Sequence, residues 1–306
     1  MPNLANALRD RFVLVNLGAG GDHAADLPVH LRAAATVVEV DAADASVDRS
    51  DVHRRVAVRQ VVADEPGRRT FRENAYVSCS SLLPPRDDLI ARYGLTEYFR
   101  PVAEEEVECT TLPAILAEAG IDRLDFLKTD IEGLDTAVLR SSRELLERAL
   151  VVRSELRFEP FYVGEAPFGD ALAYLDELGF ELIGLDPEVW KPATQRAARH
   201  RDGRTVWADC VFVRRPELVA ATGGDDPAGL PEAKQVLLTA MTGLRSWAEH
   251  LLGVHGGRIP AEWRDELWQA TAPAPRTRLR AKALDAIARA RRRVPPRPAF
   301  DFRHVA

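Results

Sequence analysis

Short apolar runs at residues 12–17, 36–40, 56–63, 150–155, 180–185 and 205–214, with another beginning at residue 124, are the feature that most restricts this chain. Most are separated by segments with apolar residues at helical spacing: up to about residue 31, then 112–119, 134–148 and 167–178. Strands alternating with helices imply a mostly parallel sheet covered on both faces. The last two runs have no helix between them, only the basic polar loop 191–204, which predicts an antiparallel closing strand. The expectation is therefore an α/β, Rossmann-like sheet. Shorter extended segments at 69–71 and 106–110 and a small-residue loop at 78–85 fall between the third and fourth runs.

The first run ends in Gly18-Ala19-Gly20-Gly21-Asp22, where Asp22 can cap the following helix. The second run ends at Asp41, with Glu39 two residues earlier. A strand, a glycine turn, a helix, a strand and a terminal acid form half of a nucleotide-binding unit: the glycines admit a ligand close to the backbone, and the acid accepts hydrogen bonds from ribose hydroxyls. A dinucleotide fingerprint, G-x-G-x-x-G, would need a third glycine where His23 stands. S-adenosylmethionine has no phosphate to cradle, and the antiparallel closing pair also favours it over a nicotinamide cofactor.

Residues 124–134 read Leu-Asp-Phe-Leu-Lys-Thr-Asp-Ile-Glu-Gly-Leu. Strand alternation would place Lys128, Asp130 and Glu132 on one face as the strand exits into a loop, and the strand at 150–155 again ends in a carboxylate, Glu155. Ligands of open α/β sheets sit beyond the carboxyl ends of strands, so these residues mark the expected site. Asp130 is the candidate for cofactor or acceptor contact, Glu132 and Glu155 are candidate bases, and Lys128 is a candidate to hold the carboxylates. The alternative is a Lys128–Asp130–Glu132 salt-bridge cluster that shapes the turn. A divalent metal bridging Asp130 and Glu155 is an alternative, since oxygen ligands suit magnesium, but no spacing demands one and none is assigned. His200 and the pair Ser80 and Ser81 are further candidates for facing an acceptor.

Three widely spaced cysteines (Cys79, Cys109, Cys210) form no metal-ligand or disulfide pattern. Neither a signal peptide nor a run of about 20 apolar residues is found, and a cytoplasmic protein is expected. The formal net charge of −6 argues against a nucleic-acid-wrapping surface. Residues 276–306 hold ten Lys/Arg against two Asp/Glu, a basic tail fitted to an anionic surface or to self-association as a homo-oligomer. A glycine-rich linker at 223–227 precedes an apolar helical stripe through Val236, Leu237, Leu238, Met241, Leu244, Trp247, Leu251 and Leu252. Two domains are expected, 1–215 and a helical extension 216–306.

The sequence Leu124-Asp125-Phe126-Leu127-Lys128-Thr129-Asp130-Ile131-Glu132-Gly133 resembles the signature strand and turn of the FkbM family of S-adenosylmethionine-dependent O-methyltransferases. The turn at 62–67, Ser80-Ser81-Leu82, Cys109-Thr110-Thr111-Leu112, Glu155 and Gly179-Phe180 fit that family in order, over residues 12–214. Two positions depart from it: Asn16 stands where the family usually has an acid, and Asp22 where its loop has a glycine. The resemblance implies a class I methyltransferase sheet and methyl transfer to a hydroxyl of a small molecule or glycan. It also implies cofactor contacts at Asn16, Gly18, Ala19, Gly20, Asp41, Ala63, Asp64 and Asp130, with Lys128, Asp130, Glu132 and Glu155 doing the chemistry. A nicotinamide-dependent oxidoreductase and a non-catalytic binding module on the same fold are the competing readings.

Overall fold

A computed structural model describes residues 3–18, 27–42, 51–194 and 202–271. In chain order, helix α1 (Leu4–Leu8) leads to β1 (Val13–Leu17), α2 (Val29–Arg32), β2 (Thr36–Asp41), β3 (Arg54–Arg59), β4 (Val61–Val62) and β5 (Gly67–Asn74). Then come α3 (Asp87–Tyr93), β6 (Pro101–Thr110), α4 (Leu112–Glu118), β7 (Phe126–Thr129), α5 (Asp135–Ser141), α6 (Arg143–Leu146) and β8 (Val151–Arg157). The chain continues through α7 (Phe168–Glu177), β9 (Phe180–Trp190), β10 (Arg204–Arg214), α8 (Pro216–Val219), α9 (Leu230–Met241), α10 (Arg245–His255) and α11 (Ala261–Thr271).

Seven strands form one sheet in the order β3-β2-β1-β7-β8-β10-β9. The first five pair in parallel, and β10 runs antiparallel to both of its neighbours. This is the expected Rossmann-like sheet with an antiparallel closing strand. Because β1 pairs with β2 on one side and β7 on the other, the chain reverses direction across the sheet at β1, which leaves a crevice beyond its carboxyl end.

Side-chain alternation sorts β1 into two cores. Val13, Val15 and Leu17 pack with Val38, Val40, Leu127 and Val152 beneath α4, α5 and α7. Leu14 packs with Val37, Phe126 and Val151 against α1, α9, α10 and α11. The helices after residue 215 thus share a core with the sheet, and every residue of α9 is buried. A charged link fastens α9: Lys234 Nζ lies 3.0 Å from Asp125 Oδ1 and 2.8 Å from Asp226 Oδ2, and Asp125 Oδ2 accepts from Val13 N at 2.8 Å.

Several local expectations change. The stripe at 236–252 is two helices, broken where Gly243 adopts φ +86°, and the helix expected over 134–148 divides at Ser142. The third strand ends at Arg59, and Val61–Val62 leaves it for a second sheet, β4-β6-β5, whose strands extend the short segments at 69–71 and 106–110. That pairing joins Gly67 to Cys109, a partnership 42 residues apart that local patterning does not encode. Asp22, Ala19, Gly20, His200 and the basic tail lie outside the described residues, and α2 begins only at Val29. Among the described residues no helix is long and apolar enough to cross a membrane.

Candidate active site at the carboxyl edge of the sheet

Strands β1 and β7 leave the sheet side by side. Asp130 N donates to Leu17 O (3.1 Å) and Gly18 N to Val40 O (3.0 Å). Gly18 has φ +80°, and a Cβ there would lie 1.8 Å from the Asp130 carbonyl oxygen, so only glycine lets the two exits abut. Gly18 and the acidic turn are thereby one location.

The β7 strand stops at Thr129, earlier than alternation through Glu132 requires. Glu132 takes φ +52°, a left-handed conformation unusual for a long side chain. The shared-face expectation for Lys128, Asp130 and Glu132 is therefore corrected, yet the turn returns Glu132 to the same place: carboxylate oxygens of Asp130, Glu132 and Glu155 lie within 4.8 Å of one another. Ser81 buttresses this turn, donating from Oγ to Glu132 O at 2.6 Å, while Ser80 Oγ accepts from Asn74 N at 3.1 Å.

The cations divide the acids differently from the salt-bridge alternative. Lys128 Nζ lies 3.0 Å from Asp130 Oδ2 and holds that carboxylate, whereas Glu132 and Glu155 are held by Arg157, Nη2 of which lies 2.5 Å from Glu132 Oε2 and 2.9 Å from Glu155 Oε1. Glu155 does not end its strand: β8 runs on to Arg157, and the two-residue period sets both side chains on one face. Arg157 Nε meets Glu165 Oε1 at 2.9 Å. Tyr162 OH lies 3.0 Å from both Glu132 Oε2 and Cys79 O, two acceptors that compete for its one proton. Because protein cations already lie among these oxygens, no metal-ligand role is assigned to the cluster.

Burial sets the electrostatics. It pushes Glu132 up to about 7 and Glu155 up to about 8; Arg157 opposes both shifts, and the neighbouring acids reinforce them. Asp135, at the start of α5, is raised by burial to about 6. Burial works against the charge on Arg157, but Glu132, Glu155 and Glu165 together hold it well above its usual value. Burial thus holds these carboxyl groups above the ordinary carboxylate range.

The other predicted residues are placed as follows. Register sets Glu39, Asn16, Lys128 and Arg153 in one row across β2, β1, β7 and β8. Glu39 is committed to Arg55 at 2.6 Å, while Asp41 ends β2 at the crevice side. Ala63 is fully buried with its amide on Thr110 O (2.8 Å), and Asp64 pairs with Arg69 at 2.8 Å.

Residues 9–182 match the family described as the Methyltransferase FkbM domain. The chain belongs to this family. Comparison with curated proteins and with solved structures gave no match. The FkbM match covers more than half of the 306 residues, spans both the glycine turn and the acidic turn, and makes the protein a methyltransferase by family. For an FkbM chain the sequence reading overlooked Arg157, Tyr162 and Glu165. Arg157 was accessible to it, since a cation two places after a strand carboxylate shares its face. Tyr162 and Glu165 arrive from a loop and carry no periodic signal.

Proposed function

We propose that the protein is an S-adenosylmethionine-dependent O-methyltransferase acting on a hydroxyl of a small molecule or glycan. The observation that carries this reading is the abutment of Gly18 on Asp130, which brings the start of the glycine-rich segment against the carboxylates of Asp130, Glu132 and Glu155. The residues fit the cofactor in one respect: the carboxyl groups of Asp130, Glu132, Glu155, Asp135 and Glu165 outnumber the cations Lys128 and Arg157 there, which suits a cationic sulfonium.

When bound, S-adenosylmethionine supplies a methyl group on positively charged sulfur, and the sulfur keeps the bonding pair as a neutral thioether once the methyl has gone to the acceptor oxygen. The chain's own part is binding and proton management. Asn16, Gly18, Ala19 and Gly20 would receive the amino-acid end, Asp41 would accept from the ribose hydroxyls, and Ala63 and Asp64 would border the adenine side. Asp130 orients the reacting centre while Lys128 fixes its carboxylate. The hydroxyl proton passes to the Glu132–Glu155 pair, a placed base worth on the order of 10² to 10⁴ in rate. The basic tail serves as a contact for an anionic surface, and the compartment is the cytoplasm.

Calorimetric titration with S-adenosylmethionine and with NAD, followed by turnover of Asp130→Asn and Glu132→Gln, tests the reading. Binding of the sulfonium cofactor alone and at least a hundredfold loss in each variant are expected. NAD binding would overturn the cofactor, and undiminished variants would remove the acids from the chemistry.

A further inference from the structure

Arg157 presents more partners than a structural ion pair requires. Its Nη2 alone serves both candidate bases, at 2.5 and 2.9 Å, and its Nε serves Glu165 at 2.9 Å. Its guanidinium carbon lies 5.4 to 5.8 Å from the ring centroids of Trp207, Tyr162 and Phe161, so aromatic faces shield the charge from water. Glu165 in turn is pinned by backbone: its Oε2 accepts from Phe161 N (2.6 Å) and Tyr162 N (3.1 Å). A chain of fixed contacts thus runs from the loop backbone through Glu165 and Arg157 to the two carboxylates.

We propose that Glu165 and Arg157 are positioning residues for methyl transfer, with Glu165 anchoring Arg157 so that one guanidinium nitrogen is shared by Glu132 and Glu155 and the pair receives the acceptor's proton as a unit. This rests on the methyltransferase reading above. Neither residue touches the reacting atoms in this scheme. They act by setting the proton affinity of the pair: Arg157 lowers it, and Glu165 holds Arg157 in the position from which it does so. The other charged or titratable groups facing the pair are Lys128 and Asp130 at the β7 exit, Asp135 on α5, Tyr162 in the loop after β8, and Cys79 in the turn at 77–79. From β10, Asp209 stands opposite Glu155 with Arg153 as its partner. Glu132 receives donors from both Arg157 and Tyr162, while Glu155 receives Arg157, which makes Glu155 the more basic member.

Glu165→Gln and Arg157→Lys are compared with the wild type in the full-length chain. Activity requires a deprotonated pair, so the acidic limb of the pH–rate profile reports its proton affinity. Glu165→Gln loosens Arg157 and Arg157→Lys loses the shared nitrogen, so each is expected to move that limb to higher pH by about half a unit to one unit. A limb that stays in place in either variant, or that moves to lower pH, overturns the proposal. Carbon-13 titration of the glutamate carboxyls, assigned by the resonances lost in Glu132→Gln and Glu155→Gln, reads the same shifts without turnover. Upward carboxyl shifts in both variants of a protein that binds no S-adenosylmethionine would keep the electrostatic linkage and discard the proposed cofactor; absent shifts in an active enzyme would do the reverse.

Discussion

Gly18→Ala is the substitution that most directly tests how the site is assembled. The added Cβ would sit 1.8 Å from Asp130 O, 2.7 Å from Asp130 C and 3.3 Å from Ile131 Cγ2, and φ at this position is +80°. The left-handed conformation costs an alanine roughly 1–2 kcal/mol. Relieving the collision means separating the β1 and β7 exits, which weakens the Gly18–Val40 and Leu17–Asp130 backbone bonds, each worth about 1 kcal/mol. The expected loss is about 3–4 kcal/mol, seen as a fall in melting temperature of roughly 6–16 °C at about 2–4 °C per kcal/mol. Gly164→Ala is the control: its φ is +86°, but nothing lies within 4 Å of the added carbon, so only the conformational part remains, about 1–2 kcal/mol. Urea denaturation of both variants gives the difference. Titration with S-adenosylmethionine should show binding lost in Gly18→Ala and kept in Gly164→Ala. Equal destabilisation by the two substitutions would refute the claim that the turn and the acidic exit are pressed together.

Other outcomes follow from the same geometry. Lys234→Met leaves Asp125 and Asp226 buried without their shared cation, and a loss of about 3–5 kcal/mol is expected in denaturant unfolding, partly recovered by adding Asp125→Asn. Glu132, Glu155 and Asp135 bind protons more tightly folded than unfolded, so their contribution to stability is fully present below about pH 4 and lost as pH rises through about 8. Unfolding measured from pH 5 to pH 9 should therefore fall less steeply in Glu155→Gln than in the wild type; parallel slopes would contradict the assigned burial effect. Truncation after Thr271 leaves the α9–α11 core contacts in place and removes the ten Lys/Arg of residues 276–306, so binding to anionic vesicles should fall; vesicle binding equal to that of the full chain would contradict a role for the tail charge.

The alternation of apolar runs with helical spacing was enough to specify the parallel sheet and its antiparallel end, because burial on both faces forces strands and helices to declare themselves locally. Gly18, Asp130 and Glu155 were legible as site candidates for a related reason: strand exits carry the polar residues that the sheet interior excludes. Tertiary structure alone decided how those acids are held. Glu132 reaches the cluster through a left-handed turn, not through strand alternation, and its cation is Arg157 instead of Lys128. Glu165 and Tyr162 come from a loop, and Ser81 from the segment bridged to Arg72 of β5, 51 residues before the Glu132 it meets, so their meeting depends on chain closure over distances that no local pattern records. The strip of sequence sets out which chemistry is available. Only the packed fold determines which carboxylate shares which charge, since burial and proximity, the two quantities that set proton affinity, exist only once the chain has closed.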